Sequence, residues 1–154
     1  MTRFLGAANL STAGIEPAFA LIQALHPSLT LDSWRTFAMP LVDQHPLAPR
    51  GLIGIQNEAA YLCGLFAYRV EANLEYERAF VVDVIAALDV LDAKAVIRAM
   101  IEAVQSRAQR IGCRIIRIRV TRSQGWLARH LENNGLESDG QLMSLPVARS
   151  QQNA

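Results

Sequence analysis

The apolar positions change period several times along the chain, and the changes mark out its elements. Between Glu16 and Leu25, Phe19, Ile22 and Leu25 recur near the 3.6-residue period of a helix. His26-Pro27 closes that run, because proline disfavours helical backbone at the residue before it. A second run starts at Thr30, whose hydroxyl suits an N-cap, with Asp32 in the positive first turn. Leu31, Trp34, Phe37, Ala38 and Leu41 give it one apolar stripe. The first 45 residues therefore read as helical, followed by a loop from His45 to Pro49.

From Arg50 the period shortens. Leu52 to Ile55 and Ala60 to Val70 flank the polar pair Asn57-Glu58, the pattern of a hairpin. Residues 72–77 form a polar turn. Ala79 to Ala87 is apolar on both faces apart from Asp83, as expected of a central strand covered on both sides. The strongest helix spans about Asp92 to Ile111, with Ile97, Ile101, Val104, Ala108 and Ile111 on one face and Gly112 placed to stop it. A strand from Ile115 to Val120 follows. A helix from Ser123 to Asn133, closed by Asn134-Gly135, and a short strand from Gln141 to Val147 complete the series. Strand, helix, strand around the long helix implies a right-handed crossover with parallel pairing. The hairpin adds antiparallel neighbours, so the fold class is α/β with a mixed sheet.

Composition narrows the function classes. Over 154 residues, 51% are hydrophobic and 19% charged, enough apolar material for a core and too much for a disordered segment. Formal net charge is +1, so no bulk field draws the chain to nucleic acid or membrane. Cys63 and Cys113 sit in apolar runs and read as buried, reduced thiols, neither a disulfide framework nor a metal site. No run of 18 apolar residues spans a bilayer, and the N-terminus has no signal-peptide pattern, so a cytoplasmic location is expected. The residues from Ala148 to Ala154 read as a flexible tail after a single domain over 1–147.

Charge is unevenly placed. Seven arginines and no acid lie between Arg107 and His130, whereas Glu71 to Asp92 holds six acids and one arginine. Such blocks can pair within the chain or across a homodimer. Aromatic residues are only 6% and do not interleave with the arginines, so nucleic acid is not an expected partner.

The order and spacing of several segments resemble the GNAT superfamily of N-acetyltransferases from about Leu21 to Val147. These segments are Leu21 to Thr30, Gly64 to Tyr76, Val82 to Ala87, the helix ending in Arg110-Ile-Gly-Cys113, and the helix ending in Asn134-Gly135-Leu136. The resemblance implies a GNAT-like, acyl-CoA N-acyltransferase fold. Its sheet would be mixed and mostly antiparallel, of about six to seven strands flanked by about four helices. It implies acetyl transfer from acetyl-CoA to a primary amine of a small molecule or protein, without a covalent enzyme intermediate. It places the pantetheine arm on the backbone of Val84, Ile85 and Ala86 and the pyrophosphate on the amides around Lys94, Ala95, Val96 and Ile97. A helix start offers unpaired N–H groups and a positive dipole end to such a phosphate. Arg122 and Arg129 would hold the adenosine phosphates.

The phosphate loop and the general-acid position depart from the family pattern. Asp92, Ala95 and Ile97 stand where the family has an Arg or Gln followed by small residues. Ile97 would bring a branched side chain towards the phosphate path. Asp92, with Asp89, would bring a charge costing roughly 3 kcal/mol at about 5 Å and an effective dielectric of about 20, which Lys94 would partly offset. Leu131 stands where many members place an acid-donating tyrosine, with His130 beside it as a relocated donor. Asp83, alone in its apolar strand, is the candidate general base, or else a carboxylate paired with Arg69 or Arg78. Glu71, Glu75 and Glu77 either line an acceptor cleft or solvate a turn. The competing reading is a GNAT-fold interaction module that has lost normal acetyl-CoA binding.

Overall fold

A computed structural model describes residues 6–87 and 93–149 of the chain. Its sheet has five strands in the order β1 (Gly6–Asn9), β2 (Arg50–Gln56), β3 (Leu62–Asn73), β4 (Glu77–Ala87) and β5 (Ile115–Ile118). All neighbours are antiparallel except β4 and β5, which are parallel. The crossover between those two carries α3 (Ala93–Ile111). The helices α1 (Ile15–Leu25) and α2 (Leu31–Ala38) precede β2, and α4 (Gly125–Asn133) follows β5 after a 3-10 turn over Arg122–Gln124. The mixed, mostly antiparallel sheet and the four helices are those the sequence predicts.

Three expectations are corrected. Among the described residues the sheet has five strands, not six or seven. The first 45 residues are not all helical, because Gly6–Asn9 pairs with β2 as an edge strand. Its sequence, Gly-Ala-Ala-Asn, carries no apolar alternation, and its position comes from distant partners, the β2 ladder and the Arg107 guanidinium that donates to Asn9 Oδ1 at 2.6 Å. Residues 141–147 form no strand among the described residues. Alternation suits them for one, but a strand exists only where an edge accepts it.

Helices cover both faces of the sheet. On one face α3 and α4 close a core with Ile53, Phe66, Tyr68, Phe80, Val82 and Ile85. On the other, α1 and α2 pack against Leu52, Leu65, Ala67 and Ala86. Trp34 fixes α2 to α1 through an Nε1–H bond to the Ile15 carbonyl at 2.7 Å. The cap at Thr30 forms as expected, its hydroxyl accepting from the Ser33 amide at 3.1 Å. Gly112 ends α3 at φ +89°, where the Cys113 amide closes back on the Ala108 carbonyl.

Candidate active site

The site starts from an irregularity in β4. Val82 pairs with Tyr68 and Val84 with Ala67, so Asp83 is an extra residue on β4, a β-bulge. The bulge shifts the alternation of faces by one. Phe80 and Val82 face the α3/α4 core before it, and Ile85 does so after it, while Val84 and Ala86 belong to the α1/α2 side.

The ladder between β4 and β5 stops at the same place. Its register runs from Ala79↔Ile115 to Val82↔Ile118, with one further bond from the Arg119 amide to the Val82 carbonyl. Strand β4 continues to Ala87 beside β3 alone. The parallel pairing thus ends at the bulge and leaves a slot in the ladder beside Asp83 to Ala87.

Gln124 reaches across that slot. Its Nε2 donates to the Ile85 carbonyl at 2.7 Å, and its Oε1 accepts from the Thr121 amide and hydroxyl at 3.1 and 3.0 Å. It is the one buried polar side chain among the described residues. The sequence reading missed it, although Thr121 and Gln124 have the spacing of a capping box.

Asp83 lies on the α1/α2 face with Arg69 and Glu71. Its Oδ2 accepts from Arg69 Nε at 2.8 Å, and Arg69 also pairs with Glu71. Asp83 is therefore not deeply buried. Its side chain is 34% exposed and bound to one of the two arginines named as alternatives. Those partners, the Glu71 hydrogen bond first, hold the Arg69 guanidinium above its ordinary value despite some burial. Of the other acids, Glu77 pairs with Arg114 at 3.3 Å, and Glu75 is exposed in the β3–β4 turn.

At the start of α3, Ala95 is half-buried and Lys94 exposed. Val96 and Ile97 are turned into the core, so Ile97 does not bring its bulk towards a phosphate as the sequence suggested. Asp89 and Asp92 lie outside the described residues, as do residues 1–5 and 150–154 of the predicted termini. Arg122 and Arg129 are exposed on the 3-10 turn and α4, and neither forms an ion pair among the described residues.

Leu131 is buried in the α3/α4 core. His130 is half-buried, its ring edge-on to Trp126 with centroids 6.1 Å apart. Asp83 and His130 lie on opposite faces of the sheet, and no hydrogen bond joins them among the described residues. A depression of ≈ 500 Å³ around Glu16, Pro17, Arg35 and Met39 lies at the α1–α2 end and contains none of these groups. No helix among the described residues is long and apolar enough to cross a membrane.

Neither a family model nor a curated protein matches the sequence. Solved structures do match. The aminoglycoside N-acetyltransferase AAC(6')-Iy in complex with CoA has a TM-score of 0.80 at 12% identity, covering 96% of this chain and 97% of its own. The ribosomal-protein-alanine N-acetyltransferase from Brucella melitensis biovar Abortus 2308 gives 0.74 at 14%, covering 94% and 100%. A transcriptional regulator from Bacillus halodurans C-125 gives 0.76 at 12%, also covering 94% and 100%. At such identities the likeness is one of fold, and that fold is the GNAT fold.

Proposed function

We propose that this chain is an N-acetyltransferase that moves the acetyl group of acetyl-CoA to a primary amine on a small molecule or protein. The observation that carries the reading is the parting of β4 from β5 at Val82, with the start of α3 following the far end of β4. The donor set around it suits a phosphorylated ligand. The first-turn amides of a helix have no intrahelical acceptor, and Lys94, Arg122 and Arg129 are exposed cations. Ala93 and Ala95 keep that turn small.

Bound acetyl-CoA would supply an acyl group activated as a thioester. The backbone of Val84, Ile85 and Ala86 would align the pantetheine arm, with Gln124 forming part of the wall where it holds the Ile85 carbonyl. Lys94 and the amides of Ala95, Val96 and Ile97 would meet the pyrophosphate. Arg122 and Arg129 would hold the adenosine phosphates.

Asp83 takes the proton from the acceptor ammonium, directly or through one water, freeing the lone pair that attacks the thioester. Arg69 holds Oδ2 and fixes the carboxylate, while Oδ1 accepts no hydrogen bond among the described residues. His130 gives the leaving thiolate its proton as the new C–N bond forms and the C–S bond breaks. Base and acid stand on opposite faces of the sheet, with the slot between them.

Thermal unfolding with and without acetyl-CoA tests the first half of this reading. A ligand at about 100 times its dissociation constant stabilises by about 2.7 kcal/mol, roughly 5–10 °C for a chain of this size. Release of free thiol over a panel of amines tests the second half. No thermal shift at millimolar acetyl-CoA overturns the proposal in favour of a GNAT-fold chain that does not bind the donor.

A further inference from the structure

The register of the sheet sets basic residues in a line. Arg50 on β2 pairs with Arg69 on β3, Arg69 with Val81 on β4, and Val81 with Arg117 on β5. Residues paired in this way share a face, so one row across four strands holds three arginines around a valine. The face is the one that α1 and α2 cover at Ala67 and Ala86. Their cover stops short of the row. Arg50 and Arg69 are exposed, and half-buried Val81 belongs to neither apolar core. One step further along β5 lies Arg119. Ile118 and Val120 pack against the α3/α4 core, so Arg119 between them points to the other face. Val82 pairs with Ile118, and the Arg119 amide bonds the Val82 carbonyl at 2.9 Å, which sets Arg119 level with Asp83.

The charges on this face do not cancel among the described residues. Asp83 and Glu71 both bind Arg69. Asp139 reaches Arg117 at 3.4 Å, yet the buried Arg117 Nε has no hydrogen-bond partner. Arg50 and Arg119 are exposed and form no ion pair. Arg50 and Arg69, directly opposite one another, repel. The surplus of positive charge bears on the acceptor. An ammonium with further positive groups would meet a guanidinium on either side of Asp83. An amine that also carries an anion would instead give Arg119 its missing partner. Adjacent strands lie about 4.8 Å apart, so a nitrogen at Asp83 and an anion at Arg119 need a spacer of only about two to four methylenes.

We propose that the acceptor is a small primary amine bearing a carboxylate or phosphate, that its nitrogen meets Asp83 and its anion Arg119, and that Arg119 sets this specificity. The acceptor role rests on the acetyl-transfer reading, and the anion site on the register and the charges alone. Carboxylate and phosphate offer the same paired oxygens to the planar fork of a guanidinium.

Initial rates of acetyl transfer test this with ω-amino acids of about two to four methylenes, aminoalkyl phosphates of the same lengths, the amides of those acids, and matching diamines. The kcat/KM of an anionic series should exceed that of its amide and diamine by about tenfold or more, the size of one charge-assisted hydrogen bond. The better of the carboxylate and phosphate series identifies the anion. Arg119→Gln should bring the ratio within about threefold, mainly through KM. Its circular dichroism should match wild type, because the Arg119 side chain makes no hydrogen bond or ion pair within the described fold. Calorimetric titration of the chain with the same amines, without acetyl-CoA, gives an independent readout. Anionic amines should bind about tenfold more tightly than amides and lose that advantage in Arg119→Gln. Such binding with no turnover of any amine upholds the anion site and overturns the transferase reading. Amides or diamines turned over as fast as the anionic amines overturn the proposal. So do anionic amines that bind no more tightly than amides, or a preference that survives Arg119→Gln.

Discussion

Gln124→Leu keeps the side chain's approximate volume and removes three hydrogen bonds. The Ile85 carbonyl, buried and otherwise facing the slot, loses its donor at 2.7 Å. The Thr121 amide loses its acceptor at 3.1 Å, breaking one half of the capping box. An orphaned buried acceptor costs about 1–3 kcal/mol, and a lost cap about 0.5–2 kcal/mol. Leucine recovers part of this by burying a more apolar side chain, up to about 1 kcal/mol. The net loss is about 2–3 kcal/mol. At roughly 2–4 °C per kcal/mol for a domain of this size, Tm should fall by about 4–12 °C in a calorimetric scan.

A second variant separates hydrogen bonding from packing. Gln124→Glu keeps the acceptor for Thr121 and puts an oxygen opposite the Ile85 carbonyl. The introduced carboxyl must be protonated to donate there, so folding raises its pKa above the unfolded value near 4.3. A raised pKa means stability present at low pH and lost as pH rises through the folded value. The deficit of Gln124→Glu relative to wild type should therefore grow between about pH 4 and 7. If Gln124→Leu melts within about 1 °C of wild type, or the Gln124→Glu deficit does not vary with pH, Gln124 does not hold the slot's wall.

Other residues give sharper single readouts. Asp83→Asn loses an ion pair that is about half exposed on the Arg69 side, so stability should change by under about 1 kcal/mol. Acetyl transfer should nevertheless fall by about 10²–10⁴-fold, and retention within tenfold would place the base elsewhere. Gly64→Ala sets a Cβ 3.0 Å from Met100 Sδ, 3.1 Å from Val96 Cγ1 and 3.2 Å from the Ala86 carbonyl. Overpacking there should cost about 1–3 kcal/mol in urea titration. Burial pushes the Tyr68 phenol above its ordinary value of 10.0, with the nearby Arg107 guanidinium opposing. A raised phenol pKa contributes stability that is present below about pH 10 and declines above it. Tyr68→Phe should thus lose about 0.5–1.5 kcal/mol at neutral pH with the bond to Ala48, and show a shallower alkaline decline than wild type.

The order of elements was legible because most of it rests on local signals. Thr30, Gly112 and Gly135 mark helix ends through backbone chemistry that no distant contact needs to supply. Asn57-Glu58 and the polar stretch after Ala72 place the two hairpins for the same reason. Gly6–Asn9 was illegible because its pairing depends on β2, far along the chain, and small residues carry no period. Residues 141–147 show the opposite failure, since their alternation is genuine but no edge within the described chain accepts it. At the site, Asp83 stood out as a lone charge, yet its bulge and its bond to Arg69 could not be seen without the register. Ile97 was legible on the apolar face of α3, where the structure buries it, but alignment with the family pattern set the same residue in the phosphate path. Gln124 was within reach of its capping-box spacing, but only the fold shows what lies opposite its amide.

One inserted residue accounts for most of the site. Without Asp83 as an extra position, β4 would keep a single alternation from Glu77 to Ala87, and Val84 rather than Ile85 would face α3 and α4. The bulge reverses that parity beyond Val82, and the carbonyl of Ile85 meets Gln124 across the slot. It also strengthens local twist, as bulges do, at the residue where β5 ceases to follow β4. The isolated charge of the strand thus sits on the one residue whose backbone the ladder does not need. A carboxylate there disturbs no pairing and lies at the mouth of the gap that the same residue helps to open. Position and chemistry coincide for a structural reason. Asp83 is the residue most exposed to the consequences of the parting of the strands.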